Sequence, residues 1–261
     1  MTTGRVPAVE GKGAADDNAP AAIGREVFTD GSYAEIFRPD SGRDPFRDLY
    51  GQKRDDVLAC LSRMPADSEI LDLGGGMGRI AIPLADRHRV TLCDISERML
   101  AMAGASAREA GVAVERLVLR QIDAGEPLPF PAASFDAAIA LDLLVHLPDP
   151  VAALRELRRV LRPQGQLLAD MTNANPLWTL RYPGYVGRRP RRWLTTLRGG
   201  GVLPEWQSIV RHRRRGEFER MLGAAGFTVS RRWRYGPSIC PKWFLDLCTP
   251  ISSTGFASPP A

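Results

Sequence analysis

Hydrophobic positions in the middle of this chain alternate between two periods. Glu69-Ile-Leu-Asp-Leu73 is a short apolar run that enters a glycine cluster, and Met77 to Ala85 then reads as a helix. Arg89 to Asp94 is a second strand that ends on an acid. Ser96 is a natural cap for a helix with Met99, Leu100, Ala103 and Ala107 on one face, stopped at Gly111. Val114 to Arg120 is a weaker third strand, and Phe135 to Leu141 a fourth. Asp149 can cap the next helix with Pro150 at its first position; Leu154, Leu157, Val160 and Leu161 form the core face. Pro163-Gln-Gly165 is expected to end that helix and Gln166 to Met171 to form the fifth strand. Such β-α alternation predicts a mostly parallel sheet with helices on both faces.

The rhythm breaks outside this core. Residues 1–24 are polar and Ala/Gly/Asp-rich and are expected to be disordered. Residues 25–251 are read as one domain, with an N-terminal helical flank that includes Asp55 to Leu61. Within it, residues 172–215 form an insertion after the fifth strand, too long for a structureless loop. A helix from Gly216 to Gly226 and a β-rich stretch from Phe227 to Tyr235 follow, and residues 252–261 are expected to be a flexible tail.

Composition narrows the class. The 261 residues are 44% hydrophobic and 25% charged, which excludes collagen, coiled-coil and largely disordered chains. No apolar run approaches the ~18 residues of a membrane span. Without an apolar leader core in the first residues, a cytoplasmic chain is expected. Cys60, Cys93, Cys240 and Cys248 make no CxxC pair, so neither a metal site nor a disulfide framework is expected. The net charge of +5 conceals a division: residues 1–171 carry −6, residues 172–261 carry +11 and all five tryptophans. Of 35 basic residues only Lys12, Lys53 and Lys242 are lysines, a bias ascribed to a GC-rich genome.

The sharpest chemical signal is Asp72-Leu-Gly74-Gly75-Gly76-Met-Gly78 at a strand-to-helix turn. Glycines there let a ligand approach the backbone closely. Twenty residues beyond Gly74, Asp94 ends the next strand, where an acid can accept hydrogen bonds from ribose hydroxyls. Arg79 stands where a dinucleotide fingerprint needs its third glycine, and no GK[ST] follows, so a ligand with ribose but no pyrophosphate is favoured.

From about Ser68 to Met171 the chain resembles the class I S-adenosylmethionine-dependent methyltransferases. Asp72 to Gly78 is similar to that family's first motif, and Asp94-Ile95-Ser-Glu-Arg-Met99 to its ribose-holding segment. Asp123-Ala124 resembles its adenine-contacting pair, Leu141 to His146 its fourth-strand motif, and Leu161 to Gly165 the helix end before its fifth strand. The resemblance implies a doubly wound seven-stranded sheet in the order 3-2-1-4-5-7-6 with the seventh strand antiparallel. It also implies S-adenosyl-L-methionine held by Asp72, Gly74, Gly75, Gly76, Gly78, Asp94, Ile95, Met99, Asp123, Ala124 and Leu141. Bland roles compete: Asp123 could simply make a turn, and His146 could be scaffold.

Acceptor chemistry has fewer signals. His146 borders the crevice where the methyl group must point and is the best-placed histidine for proton removal; His88 lies at the opposite strand edge and His212 among arginines. Neither a [DN]PP[YF] motif nor a Pro-Cys dipeptide is present, which demotes nucleic acid. Tyr33, Tyr182, Tyr185 and Trp206 are candidates to wall an acceptor pocket, with Arg181 and the Arg188/Arg189 pair to hold an anionic group. An anionic, partly apolar small molecule ranks first as partner, an anionic membrane surface second and RNA third, against the alternatives of a solvated basic face and a non-catalytic nucleotide-binding module.

Overall fold

The computed structural model of the chain describes residues 47–171, 215–235 and 252–258. The elements in order are α1 (Arg47–Leu61), β1 (Glu69–Leu73), α2 (Ala81–Leu84), β2 (Arg89–Asp94), α3 (Glu97–Glu109), β3 (Leu117–Gln121), β4 (Phe135–Ala140), α4 (Pro150–Val160), β5 (Leu161–Ala169), α5 (Arg215–Ala224), β6 (Thr228–Tyr235) and β7 (Ser252–Ser258). They build one sheet in the order β3-β2-β1-β4-β5-β7-β6. The first five strands pair in parallel, while β7 runs antiparallel to both β5 and β6.

Burial explains the layering. Central β1 and β4 are buried along nearly their whole length, as strands covered on both faces must be. On one face Leu71, Leu73, Ala138, Ala140, Leu167 and Ala169 meet Leu154 and Leu157 of α4 and Phe218 and Leu222 of α5. On the other, Ile70, Leu92, Ala137, Ile139 and Leu168 meet Val57 and Leu61 of α1, Leu84 of α2, and Leu100 and Ala103 of α3. Alanines along β4 leave room for the larger side chains of the covering helices.

The caps read from sequence form as expected. Ser96 Oγ accepts from the Met99 amide at 3.4 Å. Asp149 Oδ1 accepts from the Val151 and Ala152 amides, both at 3.0 Å, with Pro150 in the first turn.

Four boundaries differ from expectation. Only Ala81–Leu84 of the expected Met77–Ala85 helix is helical, because Gly78 at φ +82° keeps the preceding residues in turns. The third strand starts at Leu117, since Val114 is 86% exposed and lies within a turn closed by the Arg116 amide on the Ala113 carbonyl. Helix α4 ends at Val160, and Pro163–Gly165 forms an irregularity inside β5 rather than the helix end; Gln164 sits at φ +63°. The expectation of a tail at residues 252–261 is corrected over Ser252–Ser258, which is β7. Its Ser/Thr/Gly pattern carries almost no periodic signal, and backbone pairing with β5 and β6 holds it. The 1–24 segment and nearly all of the 172–215 insertion lie outside the described residues.

Phe218 is fully buried between α5 and the sheet. Phe218→Ala should lose about 3–5 kcal/mol of stability in denaturant titration, whereas Asp149→Ala, which removes only a cap, should lose about 1 kcal/mol.

Candidate active site at the carboxyl edge of the sheet

The turn after β1 is tied to the neighbouring strand by backbone alone. The amides of Gly74 and Gly75 both donate to the Cys93 carbonyl of β2, at 2.7 and 3.1 Å. Gly74, Gly76 and Gly78 adopt φ of +76°, +55° and +82°, a region open to glycine at little cost. A side chain at Gly75 would stand 2.6 Å from Asp72 Oδ2, so the loop closes against that carboxylate.

Asp94, at the tip of β2, spans the turn and the next helix. Its Oδ2 accepts from the Gly76 amide and its Oδ1 from the Ser96 amide, each at 2.9 Å. Burial raises its pKa, and these backbone hydrogen bonds oppose the rise. Asp72 is more deeply placed, 3% exposed on β1 between Leu92 of β2 and Ile139 of β4. Its Oδ2 is buried and has no hydrogen-bond partner among the described residues. Burial, followed by the charge of Asp94, pushes it up to about 7, while a hydrogen bond from the Ala81 amide works the other way. A buried carboxylate oxygen left without a partner beside a glycine turn is what a positively charged ligand group would complete. The residues therefore fit S-adenosylmethionine, whose amino end and sulfonium are cationic.

The other motif residues gather at the same edge. The Ile122 amide donates to the Asp94 carbonyl at 3.0 Å, placing Asp123 and buried Ala124 alongside β2. Asp123 Oδ1 accepts from the Gly125 amide at 2.8 Å, so the turn-making role is real. Ile95 is half-buried and Met99 buried at the start of α3. Leu141 follows β4 and packs against the α1–α3 face. Leu143 crosses the turn, since a side chain at Gly74 would meet Leu143 Cδ1 at 3.0 Å. His146 is half-buried, its amide donating to the Leu143 carbonyl at 2.9 Å. Tyr33, Arg181, Tyr182, Tyr185 and Trp206, with Arg188, Arg189 and His212, lie outside the described residues.

Sequence reasoning missed Lys53 and Asp170. Lys53, from α1, is buried with its Nζ 2.7 Å from Asp142 Oδ1 and 2.5 Å from Asp170 Oδ2. Asp170 directly follows β5, and its Oδ1 accepts from the Asp142 amide at 2.6 Å. Burial disfavours the lysine's charge, yet the two carboxylates outweigh it and raise its pKa. Burial, then the charge of Asp142, pushes Asp170 up to about 6 against the pull of Lys53. Nearby, the Arg79 guanidinium lies 4.7 Å from the Tyr50 ring centre, so α1 also reaches the glycine turn. One signal was available: Lys53 is one of three lysines in an arginine-rich chain.

Asp72 gives the site a pH signature. Its folded pKa, about 7, lies above the unfolded carboxyl value, so the native state holds an extra proton between roughly pH 4 and 7 and loses stability as pH rises through that window. Asp72→Asn should therefore raise the melting temperature more at pH 8 than at pH 5, while weakening S-adenosylmethionine binding in calorimetry by about tenfold or more. An equal gain at both pH values would contradict the buried-acid account.

The methyltransferase domain family matches residues 71–169. The chain is 36% identical over 112 residues to a ubiquinone biosynthesis O-methyltransferase of Pseudomonas aeruginosa (strain UCBPP-PA14), covering 42% of this chain and 47% of that protein. It is 41% identical over 114 residues to the 27-O-demethylrifamycin SV methyltransferase of Amycolatopsis mediterranei (strain S699), covering 43% and 41%. The chain thus spans about half the length of the curated relatives it matches. Among solved structures, magnesium protoporphyrin IX methyltransferase from Synechocystis PCC 6803 with bound SAH superposes with a TM-score of 0.68 at 20% identity, over 92% of this chain and 99% of that one. The 4+2 cyclase SpnF does so with a TM-score of 0.56 at 26% identity, over 75% and 63%. Residues 71–169 thus match a methyltransferase domain, set in a fold that the chain shares with S-adenosylmethionine-dependent methyltransferases.

Proposed function

We propose that this protein transfers the methyl group of S-adenosylmethionine to a hydroxyl of a small, anionic and partly apolar molecule. The observation that carries the reading is the pairing of the Gly74–Gly78 turn with two acids at the carboxyl edge, Asp94 against the turn and Asp72 beneath it with its Oδ2 unpartnered among the described residues. Asp94 would hold the ribose hydroxyls, Asp72 the amino end, and Asp123-Ala124 the adenine, flanked by Ile95 and Met99. The cofactor supplies an electrophilic methyl group on sulfur.

The chain's own task is then to orient the acceptor, exclude water and accept a proton. Leu141 to His146 leaves the strand edge beside the glycine turn, and His146 is the residue assigned to take the acceptor's proton. A hydroxyl acceptor is supported by relatives that bear the name O-methyltransferase. Anionic character is supported by the +11 charge of residues 172–261, among which Arg181, Tyr182, Tyr185 and Trp206, with Tyr33 from the N-terminal flank, are assigned to the acceptor. A cytoplasmic location belongs to the same reading; among the described residues no helix is long and apolar enough to cross a membrane.

A second reading has one specific observation behind it. The resemblance to the cyclase SpnF means that this fold also serves a protein bearing a different activity. Incubating the protein with methyl-labelled S-adenosylmethionine and a metabolite extract, or separately with total RNA, separates the readings. Label is expected in the small-molecule fraction. Label confined to RNA would reject the acceptor class, and cofactor binding without transfer to any fraction would favour the cyclase-like reading. With an acceptor in hand, His146→Ala should lower kcat about a hundredfold with cofactor affinity kept. Arg181→Ala should instead raise KM, an effect that added salt imitates.

A further inference from the structure

Lys53, Asp142 and Asp170 form a charged cluster; Asp142 lies within the fourth-strand motif, but none of the three is among the residues assigned to the cofactor from the sequence. The cluster joins three separate elements: α1, the turn after β4 and the end of β5. Two carboxylates share one ammonium, so the cluster carries a net charge of −1. Lys53 and Asp170 are buried, but the Asp142 side chain is 41% exposed. The negative charge therefore reaches solvent through Asp142 alone among these three.

The geometry of Asp142 is unusually constrained. Its backbone sits at φ +52°, a left-handed conformation that costs a non-glycine residue free energy. Its amide donates to Asp170 Oδ1 and its Oδ1 accepts from Lys53 Nζ, while its side chain remains partly exposed. The next residue, Leu143, packs on Gly74. Asp142 thus stands at the carboxyl edge one residue from the wall of the glycine turn. A purely mechanical tie between α1 and the sheet has no need of two desolvated charges, because Val57 and Leu61 already bury that face of the helix.

Resting on the methyl-transfer reading, we propose that Asp142 is a donor-recognition residue, its carboxylate fixed by Lys53 and Asp170 so as to bind the sulfonium of the charged methyl donor in preference to the neutral thioether left after transfer. The sulfonium would meet Asp142 first, with the Lys53 charge behind it and offset by Asp170. Lys53 and Asp170 are positioning residues in this arrangement. The consequence is a bias of affinity toward the donor and release of the spent product.

The test needs no acceptor. Calorimetric dissociation constants for S-adenosylmethionine and S-adenosylhomocysteine are measured on the full chain for wild type, Asp142→Asn and Asp170→Asn, with thermal melts to confirm folding. Asp142→Asn should weaken S-adenosylmethionine about tenfold and leave S-adenosylhomocysteine within about twofold. Asp170→Asn, which also brings the cluster to zero net charge, should shift the ratio of the two constants in the same direction and keeps the proposal testable if the first variant does not fold. Equal losses for both ligands would mark the cluster as structural only, and no change in either would remove Asp142 from the site; each overturns the inference while leaving methyl transfer intact. Wild-type protein that binds neither ligand would overturn the proposed function itself, and this inference with it.

Discussion

The site depends first on two hydrogen bonds made by backbone alone, from Gly74 and Gly75 to the carbonyl of Cys93. They clamp the turn after β1 onto β2, and they work because parallel pairing of β1 with β2 sets Leu73 beside Cys93. With the turn fixed, the acid that follows Cys93 lies within reach of the Gly76 amide, and Asp72 is enclosed below. A parallel sheet ends its strands at a common edge, so a single register places residues distant in sequence around one crevice.

That edge collects negative charge. Asp72, Asp94, Asp123, Asp142 and Asp170 all lie at or just beyond the strand ends, and Lys53 enters among them from α1 to pair with two of them. Burial alone pushes the Asp72, Asp94 and Asp170 carboxyls above their usual range, and mutual repulsion adds to Asp72 and Asp170. A fold that keeps such groups together is less stable than one with apolar residues there, unless a cation completes the site. Lys53 completes one end permanently. The other, around Asp72 Oδ2, would be completed by the cofactor under the proposed function. Tension of this kind between stability and binding is common where a protein must hold a charged ligand.

The parallel core was legible because it rests on local signals: apolar strands with periodic helices between them, caps at Ser96 and Asp149, and glycines whose spacing is dictated by the turn. Asp94 was legible for the same reason, since strand length fixes its distance from Gly74. The helix after Gly78 was overread because periodicity does not register that a left-handed glycine holds the chain in turns. β7 was missed because its stability lies in pairing with β5 and β6 and not in its own composition. The Lys53 cluster could not be derived from spacing at all. Its members are 89 and 117 residues apart, and only the packing of α1 against the sheet brings them together. The few lysines of the chain gave a hint that a compositional explanation absorbed.

The charge division along the sequence takes on meaning against this crevice. The strand edge that would hold a cationic cofactor belongs to the acidic part of the chain, and the basic excess begins just after β5 ends. Under the proposed function, opposite charges on the two contributors to one site give the acceptor a preferred orientation. An anionic group would be repelled from the Asp142 side and drawn toward basic residues, which leaves the uncharged end of the molecule beside the methyl donor. Apolar packing is non-directional and a hydroxyl presents little charge, so neither could orient a small molecule so strongly by itself. The separation of acid from base along the chain would then act as a device for orientation, with attraction at one end and exclusion at the other.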